Sequence, residues 1–407
     1  MIHVLLRKKL SVAFTAATRT SPSMSIHRQG ATIDWLQALR GFAAVFVVIT
    51  HAGWTLTQPA HKELAWDYLA HGALGVDLFF VISGFIMYLT TQNCDGSRRY
   101  VADFGIKRFA RIWPLFLVVS LIYLGMAWMK AGTFPVAYFA DVASQLAFRP
   151  VSAKASEFFL LPVDVAWTLC FEAYFYVVIA ISLLSKKWRW WIVAALLAPG
   201  LVLHPLIQQD WNLSFYHQPA VGGSHYLALM VNPMVWEFVF GLFAGWLYTR
   251  DWSQPKRPLA IAMLLVACAA FITIPETHTP TLYGPTIENG GLTVFAIFLL
   301  IALASKTIQL PVARWLVWLG TISYSIYLTH KLGFMAAAQI NAWLDIRHAN
   351  TRDWVNFVIY MVCGISTGAL FHYAVEAPLS SRVRKTLMNR VNKRAGKERP
   401  PNAITPA

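Results

Sequence analysis

The chain has 407 residues, of which 57% are hydrophobic and 13% are charged, whereas a soluble domain averages about 45–50% apolar and about 25% charged residues. The formal net charge is +15. The basic residues lie between apolar blocks of about twenty residues, each long enough to cross a bilayer as a helix. This charge therefore indicates membrane topology rather than a nucleic-acid partner, and the composition predicts an all-α polytopic membrane protein.

Ten apolar blocks predict ten transmembrane helices, which places both chain ends on one side of the membrane. The positive-inside rule assigns that side to the cytoplasm, because the segments assigned to it hold 26 of the 34 Lys and Arg residues. We therefore expect a multi-pass protein of the inner (plasma) membrane with cytoplasmic N- and C-termini. The spans are predicted at about 33–56, 72–92, 112–130, 163–184, 190–207, 226–248, 258–275, 290–304, 315–338 and 354–376.

Three regions follow from this pattern. Residues 1–31 form a polar cytoplasmic segment without the apolar core of a signal peptide, residues 32–378 form the ten-helix membrane domain, and residues 379–407 form a basic cytoplasmic tail. Met24 lies shortly before the first span, so we hypothesise that translation starts there. The tail is interpreted as a solvated end, with binding to anionic lipid as the alternative. The spacing of the four cysteines predicts neither a metal site nor a disulfide.

The first span holds an arginine and a histidine that cannot both lie outside the bilayer. Ten residues separate Arg40 from His51, and that length makes only about 15 Å of helix, half of a crossing. Eleven residues turn a helix by about 1100°, so both side chains lie on one face, about 16 Å apart in depth. Ionisable side chains inside a span are functional candidates. The alternatives are that Arg40 reaches the inner headgroups and that His51 bonds to a neighbouring helix.

Two carboxyl groups lie in apolar sequence of other spans. Asp77 is near the outer end of the second span, at a depth similar to that of His51, where a carboxylate can orient an imidazole and stabilise its protonated form. Capping of the span near water is the alternative for Asp77. Glu237, which follows Asn232 and Pro233, lies well inside the sixth span, as Glu172 does in the fourth. Ser83 and Gly84 of the second span favour close helix packing.

Before the third span, Arg108 and Arg111 lie three residues apart, one above the other if this segment is helical. Paired guanidinium groups at the cytoplasmic surface suit phosphate groups through bidentate hydrogen bonds. Ordinary positive-inside charge or lipid anchoring is the alternative. Glu172 lies well inside the fourth span and needs a partner there. The ninth span offers a row of hydroxyl groups, Tyr324 among them, and a second histidine, His330.

The chemistry alone leaves two functions open. A basic pair on the cytoplasmic side and a deeper histidine suit an anionic cytoplasmic donor whose reactive end reaches into the membrane. They also suit a proton-coupled transporter.

Six segments in order resemble the membrane acyltransferases called acyltransferase family 3, and within them the exopolysaccharide O-acetyltransferases. Each segment is weak alone, but six in the family's order over residues 33–378 are specific. One departure is Ala173, where many members have a second acidic residue after the glutamate. The segments are Leu36–Ala44 with His51, Gly75–Phe85, Arg108–Pro114, Trp167–Tyr176, Ser323–His330 and Glu376–Pro378.

The resemblance implies a ten-span enzyme that moves an acyl group, usually acetyl, from acyl-CoA to a hydroxyl of an envelope glycan. Asp77 is expected to stabilise the imidazolium of His51, and Glu172 and Tyr324 to position groups or pair with Arg40. The expected site residues are, for catalysis, His51, Arg40, Asp77 and Glu172, and, for acyl-CoA binding, Arg108, Arg111 and Tyr324.

The expected partners are acyl-CoA, as a donor substrate rather than a permanently bound cofactor, a glycan or lipid-linked oligosaccharide acceptor, and membrane lipid. No metal is expected. His51 either acts as general base on the acceptor hydroxyl or carries the acyl group covalently. The rival hypotheses are a transporter or flippase for a glycan or acyl compound and a non-catalytic scaffold for polysaccharide assembly.

Overall fold

The chain is helical throughout the residues that the computed structural model describes, which are 33–150, 162–214, 224–278, 290–343 and 353–397. No β-strand occurs among these residues, which confirms the all-α prediction for them. The predicted N-terminal segment 1–31, with the hypothetical start at Met24, lies outside the described residues, as does the end of the tail. The helices belong to one compact unit that begins at Asp34.

The longer helices are separated by short connecting segments. A helical run over residues 59–73 leads directly into the second long helix, which begins at Leu74. The π-helical turn His372–Glu376 joins the last two. In the described part, the longer helices are α1 (Asp34–Gly53), α2 (Leu74–Thr90), α3 (Arg98–Ala131), α4 (Val136–Leu146), α5 (Trp167–Ser182), α6 (Arg189–Ala198), α7 (His225–Val231), α8 (Val235–Tyr248), α9 (Arg257–Ile272), α10 (Leu292–Ala304), α11 (Arg314–Thr321), α12 (Ser323–Trp343), α13 (Asp353–Phe371) and α14 (Ala377–Lys397).

Every predicted span overlaps a helix, but fewer helices meet a length and hydropathy test for crossing a membrane. In the described part, six helices are long and apolar enough, or seven if α7 and α8 count as one span bent by 45°. The helices α9 and α10 are apolar but have only 16 and 13 residues. The ninth predicted span, 315–338, is displaced, because α12 begins at Ser323 and α11 is a separate helix that packs against α1.

The central helix is α1, which packs against α2, α11, α12 and α13. Glycines allow the closest approaches between helices. A Cβ atom on Gly84 of α2 would lie 2.2 Å from the carbonyl oxygen of Phe238 in α8, and one on Gly241 would lie 2.1 Å from that of Val81. The prediction of close helix packing is confirmed for Gly84, since only a residue without a side chain fits this contact.

The predicted basic tail begins as a helix. The α14 helix follows α13 with only the π-helical turn between them and packs along α3. Near its end, Arg99 donates a hydrogen bond to Asn392 at 3.0 Å. The first part of the tail is therefore a helix attached to the helix that carries the arginine pair, and its described side chains are exposed or half-buried.

Candidate functional site

Both members of the predicted pair on α1, Arg40 and His51, contact residues of α12. Arg40 is 8% exposed, and its Nη2 donates to Oγ of Ser323 at 3.1 Å. The ring of His51 lies 4.9 Å from that of His330, measured between centroids. The earlier residue of α1 contacts the earlier residue of α12, and the later residue contacts the later one. The two helices therefore run side by side in the same direction. The partners of Arg40 and His51 therefore lie seven residues apart on one neighbouring helix.

The arginines converge on one cavity near the start of this helix pair. Its empty space is about 760 Å³, part of it open to solvent. Arg108 and Arg111 are half-buried on consecutive turns of α3, so their segment is helical and the two side chains lie one above the other. The structure brings together five predicted site residues here, which are Arg40, Arg108, Arg111, Glu172 and Tyr324.

Aromatic rings hold Arg108 in place. Its guanidinium carbon lies 5.4 Å from the ring centroid of Phe104 and 5.6 Å from that of Tyr176. Its Nη2 donates to Oγ1 of Thr90 at 3.2 Å. Stacking of a guanidinium on aromatic faces orients its planar fork, so Arg108 presents its remaining donors in a fixed direction.

The other members of this cavity are also fixed by neighbours. The hydroxyl of Tyr176 donates to Glu172, one helical turn before it. The hydroxyl of Tyr324 donates to the carbonyl oxygen of Ile112 at 2.8 Å, which ties α12 to α3. The charges of Arg111 and Glu172 both act on Arg40. Glu172 thus lies where its charge offsets part of the positive charge of the cavity, while its hydrogen-bond partner is Tyr176 rather than Arg40.

His51 has one ring nitrogen engaged. Its Nδ1 lies 2.9 Å from the carbonyl oxygen of Val47. Because a carbonyl oxygen only accepts hydrogen bonds, Nδ1 carries the proton and a neutral ring has its lone pair on Nε2. The ring of Trp54 meets the imidazole edge-on at 4.7 Å. This arrangement gives His51 the tautomer that a general base needs.

His330 repeats this arrangement deeper in the protein. It is fully buried, and its Nδ1 lies 2.8 Å from the carbonyl oxygen of Tyr327. Its Nε2 has no hydrogen-bond partner among the described residues. The sequence shows His330 but gives no sign that it lies against His51, since the two positions are 279 residues apart.

A second pocket lies around His51. Its walls include Trp54 and Tyr123 together with an ion pair between Lys331 and Asp164. Asp164 belongs to a 3-10 turn just before α5, and Lys331 follows His330 on α12. Sequence reasoning missed this pair, because Asp164 lies at the very start of the fourth predicted span and Lys331 lies within the ninth, 167 residues further along the chain.

Asp77 is not placed beside His51, and the expected contact between them is wrong. The structure instead sets Asp77 of α2 against Glu237 of α8, close enough for their carboxyl groups to interact directly. Both side chains are completely buried, and none of their four carboxyl oxygens has a hydrogen-bond partner among the described residues. The physical reason lies in the close contact of α2 with α8, which turns Asp77 away from α1. The carboxylate in the His51 pocket is Asp164.

Glu376 is the remaining acidic residue of the motif set. Its Oε2 accepts hydrogen bonds from Oγ of Ser325 at 2.5 Å and from Nδ1 of His372 at 2.9 Å. It therefore joins the turn between α13 and α14 to the hydroxyl-rich start of α12.

The described part of the chain is thus an all-helical domain with membrane-length helices, an arginine-lined cavity and a histidine whose Nδ1 is held by a backbone carbonyl oxygen. The chain belongs to the family described as "Acyltransferase domain", which matches residues 33–373. It is therefore an acyltransferase, and the family predicted from the six segments is confirmed. The matched range holds every predicted site residue.

Three similar proteins from bacteria show what the chain is related to. Exopolysaccharide production protein ExoZ of Rhizobium meliloti (strain 1021) is 28% identical over 335 residues, which are 79% of this chain and 94% of that protein. Nodulation protein 10 of Rhizobium leguminosarum bv. viciae is 26% identical, over 86% of this chain and 94% of that protein. Peptidoglycan O-acetyltransferase OatA of Listeria monocytogenes is 26% identical, over 74% of this chain but 48% of that protein. No solved structure matches.

Proposed function

We propose that this protein is a membrane O-acyltransferase that moves an acyl group, in the first instance acetyl, from cytoplasmic acyl-CoA to a hydroxyl of an exopolysaccharide or another envelope glycan. The proposal rests on the observation that α1 lines two cavities, one at each end of the Arg40–His51 pair. Arg40 lies in the arginine-lined cavity and His51 lies in the second pocket, on the same helix face. Membership of an acyltransferase family and the similarity to ExoZ, an exopolysaccharide production protein, and to OatA, a peptidoglycan O-acetyltransferase, support acyl transfer to a glycan.

The topology we propose has ten spans with both ends in the cytoplasm of an inner (plasma) membrane protein. Helix directions support it. Since α1 and α12 are the first and ninth spans, they should run in the same direction, as they do. The glycine contacts of α12 with α13 pair Gly368 with Ile326 and Gly333 with Cys363, so these consecutive spans run in opposite directions. In this topology the arginine-lined cavity faces the cytoplasm.

Arg108 and Arg111 would bind the phosphate groups of CoA. A guanidinium forms bidentate, charge-assisted hydrogen bonds with phosphate, and Arg108 is already oriented by aromatic rings. The pantetheine arm would then extend along α1, where Arg40 and His51 are about 16 Å apart in depth. Tyr324 and Glu172 would shape this path, with Glu172 limiting the repulsion between Arg40 and Arg111.

His51 would act as general base at the far end of this path. Its Nε2 takes the proton of the acceptor hydroxyl while the hydroxyl oxygen bonds to the thioester carbon, and the C–S bond then breaks to release CoA. General-base catalysis of this kind contributes typically about 10²–10⁴-fold. A covalent acyl group on His51 is the alternative route. Asp77 would act through packing, by fixing α2 against α8.

The test is the O-acetyl content of the surface polysaccharide, measured by proton NMR in a deletion strain. The strain is complemented with the wild type, with His51→Ala, or with Trp343→Phe as a matched exposed control. Restoration by the wild type and the control, but not by His51→Ala at equal protein level, supports the proposal. Equal restoration by all three removes His51 from catalysis, and unchanged acetylation on deletion excludes acetyl transfer to that polysaccharide.

Transport of a glycan or acyl compound is the second candidate, because α7 and α8 are bent against each other by 45° and, counted as one span, make a broken helix. Broken helices line the substrate sites of many transporters. Equilibrium binding of acetyl-CoA to the purified protein separates the two functions. Binding that is lost in Arg108→Gln, together with release of free CoA, favours the enzyme, whereas a protein that binds no acetyl-CoA favours transport.

A further inference from the structure

We propose that Lys331, held by Asp164, is the cation that stabilises the oxyanion formed when the thioester carbonyl is attacked beside His51. The inference rests on the proposed function of His51 and adds a catalytic residue to it. The chemistry requires such a group, because a base at His51 removes a proton but leaves the negative charge that develops on the carbonyl oxygen.

Lys331 lies in the pocket that holds His51. Both side chains line this pocket, and the positive charge of Lys331 acts on the imidazole. It directly follows His330, whose ring lies 4.9 Å from that of His51, so two successive residues of α12 border the reacting histidine. Among the described residues that line this pocket, Lys331 is the only cation. Arg40, the other cation on the path, is about 16 Å away along α1.

Asp164 fixes the direction of the Lys331 ammonium group but accepts only one of its N–H donors. The two side chains are partly exposed, at 27% for Lys331 and 34% for Asp164, so they face the pocket rather than the core. An ammonium group has three N–H donors, and Asp164 accepts one of them. Two donors therefore remain for an oxygen in the pocket, and the carboxylate holds the flexible lysine stem in one orientation.

The step balances without any further reactant. The acceptor oxygen bonds to the thioester carbon and its proton passes to Nε2 of His51. The carbonyl oxygen becomes an alkoxide beside Nζ of Lys331. The carbon–oxygen double bond then re-forms, the C–S bond breaks, and CoA leaves with the sulfur electron pair and takes up the proton. Lys331 and Asp164 keep their protonation states throughout.

The experiment measures release of the CoA thiol from acetyl-CoA by the purified full-length protein, with water as acceptor. Lys331→Met is expected to lower kcat by about 10²–10³-fold, the cost of losing one oxyanion donor, with unchanged acetyl-CoA binding. Lys331→Arg, which keeps the charge, is expected to keep most of the activity, and Asp164→Asn to lose less than Lys331→Met. Lys130→Met, at an exposed site at the end of α3, is the matched control.

The same variants are scored for polysaccharide O-acetyl content in the complemented deletion strain, so the inference is tested even where hydrolysis is slow. A wild-type level of acetylation with Lys331→Met overturns it, provided that His51→Ala is inactive. A loss confined to glycan transfer, with normal thiol release, also overturns it and makes Lys331 an acceptor-binding residue. Full activity of His51→Ala is a different result, because it rejects the proposed function itself.

Discussion

The contact between α2 and α8 predicts a specific effect of adding one methyl group at Gly84. The Cβ atom of an alanine would lie 2.2 Å from the carbonyl oxygen of Phe238, 2.8 Å from the amide nitrogen of Leu242 and 3.0 Å from the Cα atom of Gly241. These atoms belong to the backbone, so no side-chain rotation relieves the clash. Since non-bonded atoms pack best at about 3.5–4.0 Å, α8 has to move away by about 1 Å.

Overpacking of this kind costs about 1–3 kcal/mol. The same substitution gains about 0.5–1 kcal/mol wherever a helix has room, because alanine is the better helix former. The chain contains that control in Gly105 and Gly125 of α3. Apart from the neighbouring residues and the backbone of their own helix, no atom of the described residues lies within 4 Å of a Cβ atom added at either glycine. We therefore expect Gly84→Ala to unfold at a lower temperature than the wild type, and Gly105→Ala and Gly125→Ala to unfold at the same or a higher temperature.

The assay is thermal unfolding in detergent, followed by tryptophan fluorescence at one scan rate for all four proteins. The wild type provides the reference, and acetyl-CoA binding at low temperature checks that each variant is folded. If Gly84→Ala and Gly105→Ala unfold at the same temperature, the close approach of α2 to α8 is refuted. A Gly84→Ala variant that is more stable than the wild type would refute it more strongly.

Three further predictions concern charged groups. Arg111→Lys should weaken acetyl-CoA binding by about tenfold, measured by equilibrium binding, because an ammonium group cannot bind phosphate in bidentate fashion. Asp77→Asn should unfold near the wild-type temperature, whereas Asp77→Ala, which leaves Glu237 without its neighbour, should lose about 1–3 kcal/mol. Asp353→Ala removes the acceptor for Thr57 and for the backbone amide at 58 and should lower the unfolding temperature by a similar free energy.

The sequence predicts what depends on local spacing. Arg40 and His51 lie on one face of α1 because eleven residues complete about three turns, and the helical spacing of Arg108 and Arg111 places both at one cavity. The family follows from six short segments because their order is specific. The number of spans is less certain from pattern, since α9 and α10 are shorter than a full crossing and α7 is bent against α8.

The sequence fails where a contact depends on how helices rotate against one another. Asp77 and His51 have matching depths, but depth does not fix the direction of a side chain, and the glycine contact with α8 turns Asp77 toward Glu237. The ion pair between Lys331 and Asp164 joins a helix to a turn 167 residues away. No local pattern marks such a pair, because each residue alone resembles a topological charge.

The relation between the two cavities sets a requirement for acyl transfer. Tyr327 lines the arginine-lined cavity, and its hydroxyl bonds to the carbonyl oxygen of Val165 and to Thr168 at 2.9 and 3.0 Å. Its ring meets that of Phe79 edge-on at 5.8 Å, and His330 follows one turn later. On α12, Tyr327 lies between the partners of Arg40 and His51, so a thioester that extends from Arg40 to His51 has to pass the rings of Tyr327 and Phe79. Tyr327 is also bonded to the segment that carries Asp164, so any shift of this ring that admits the acyl group acts on the turn that orients Lys331.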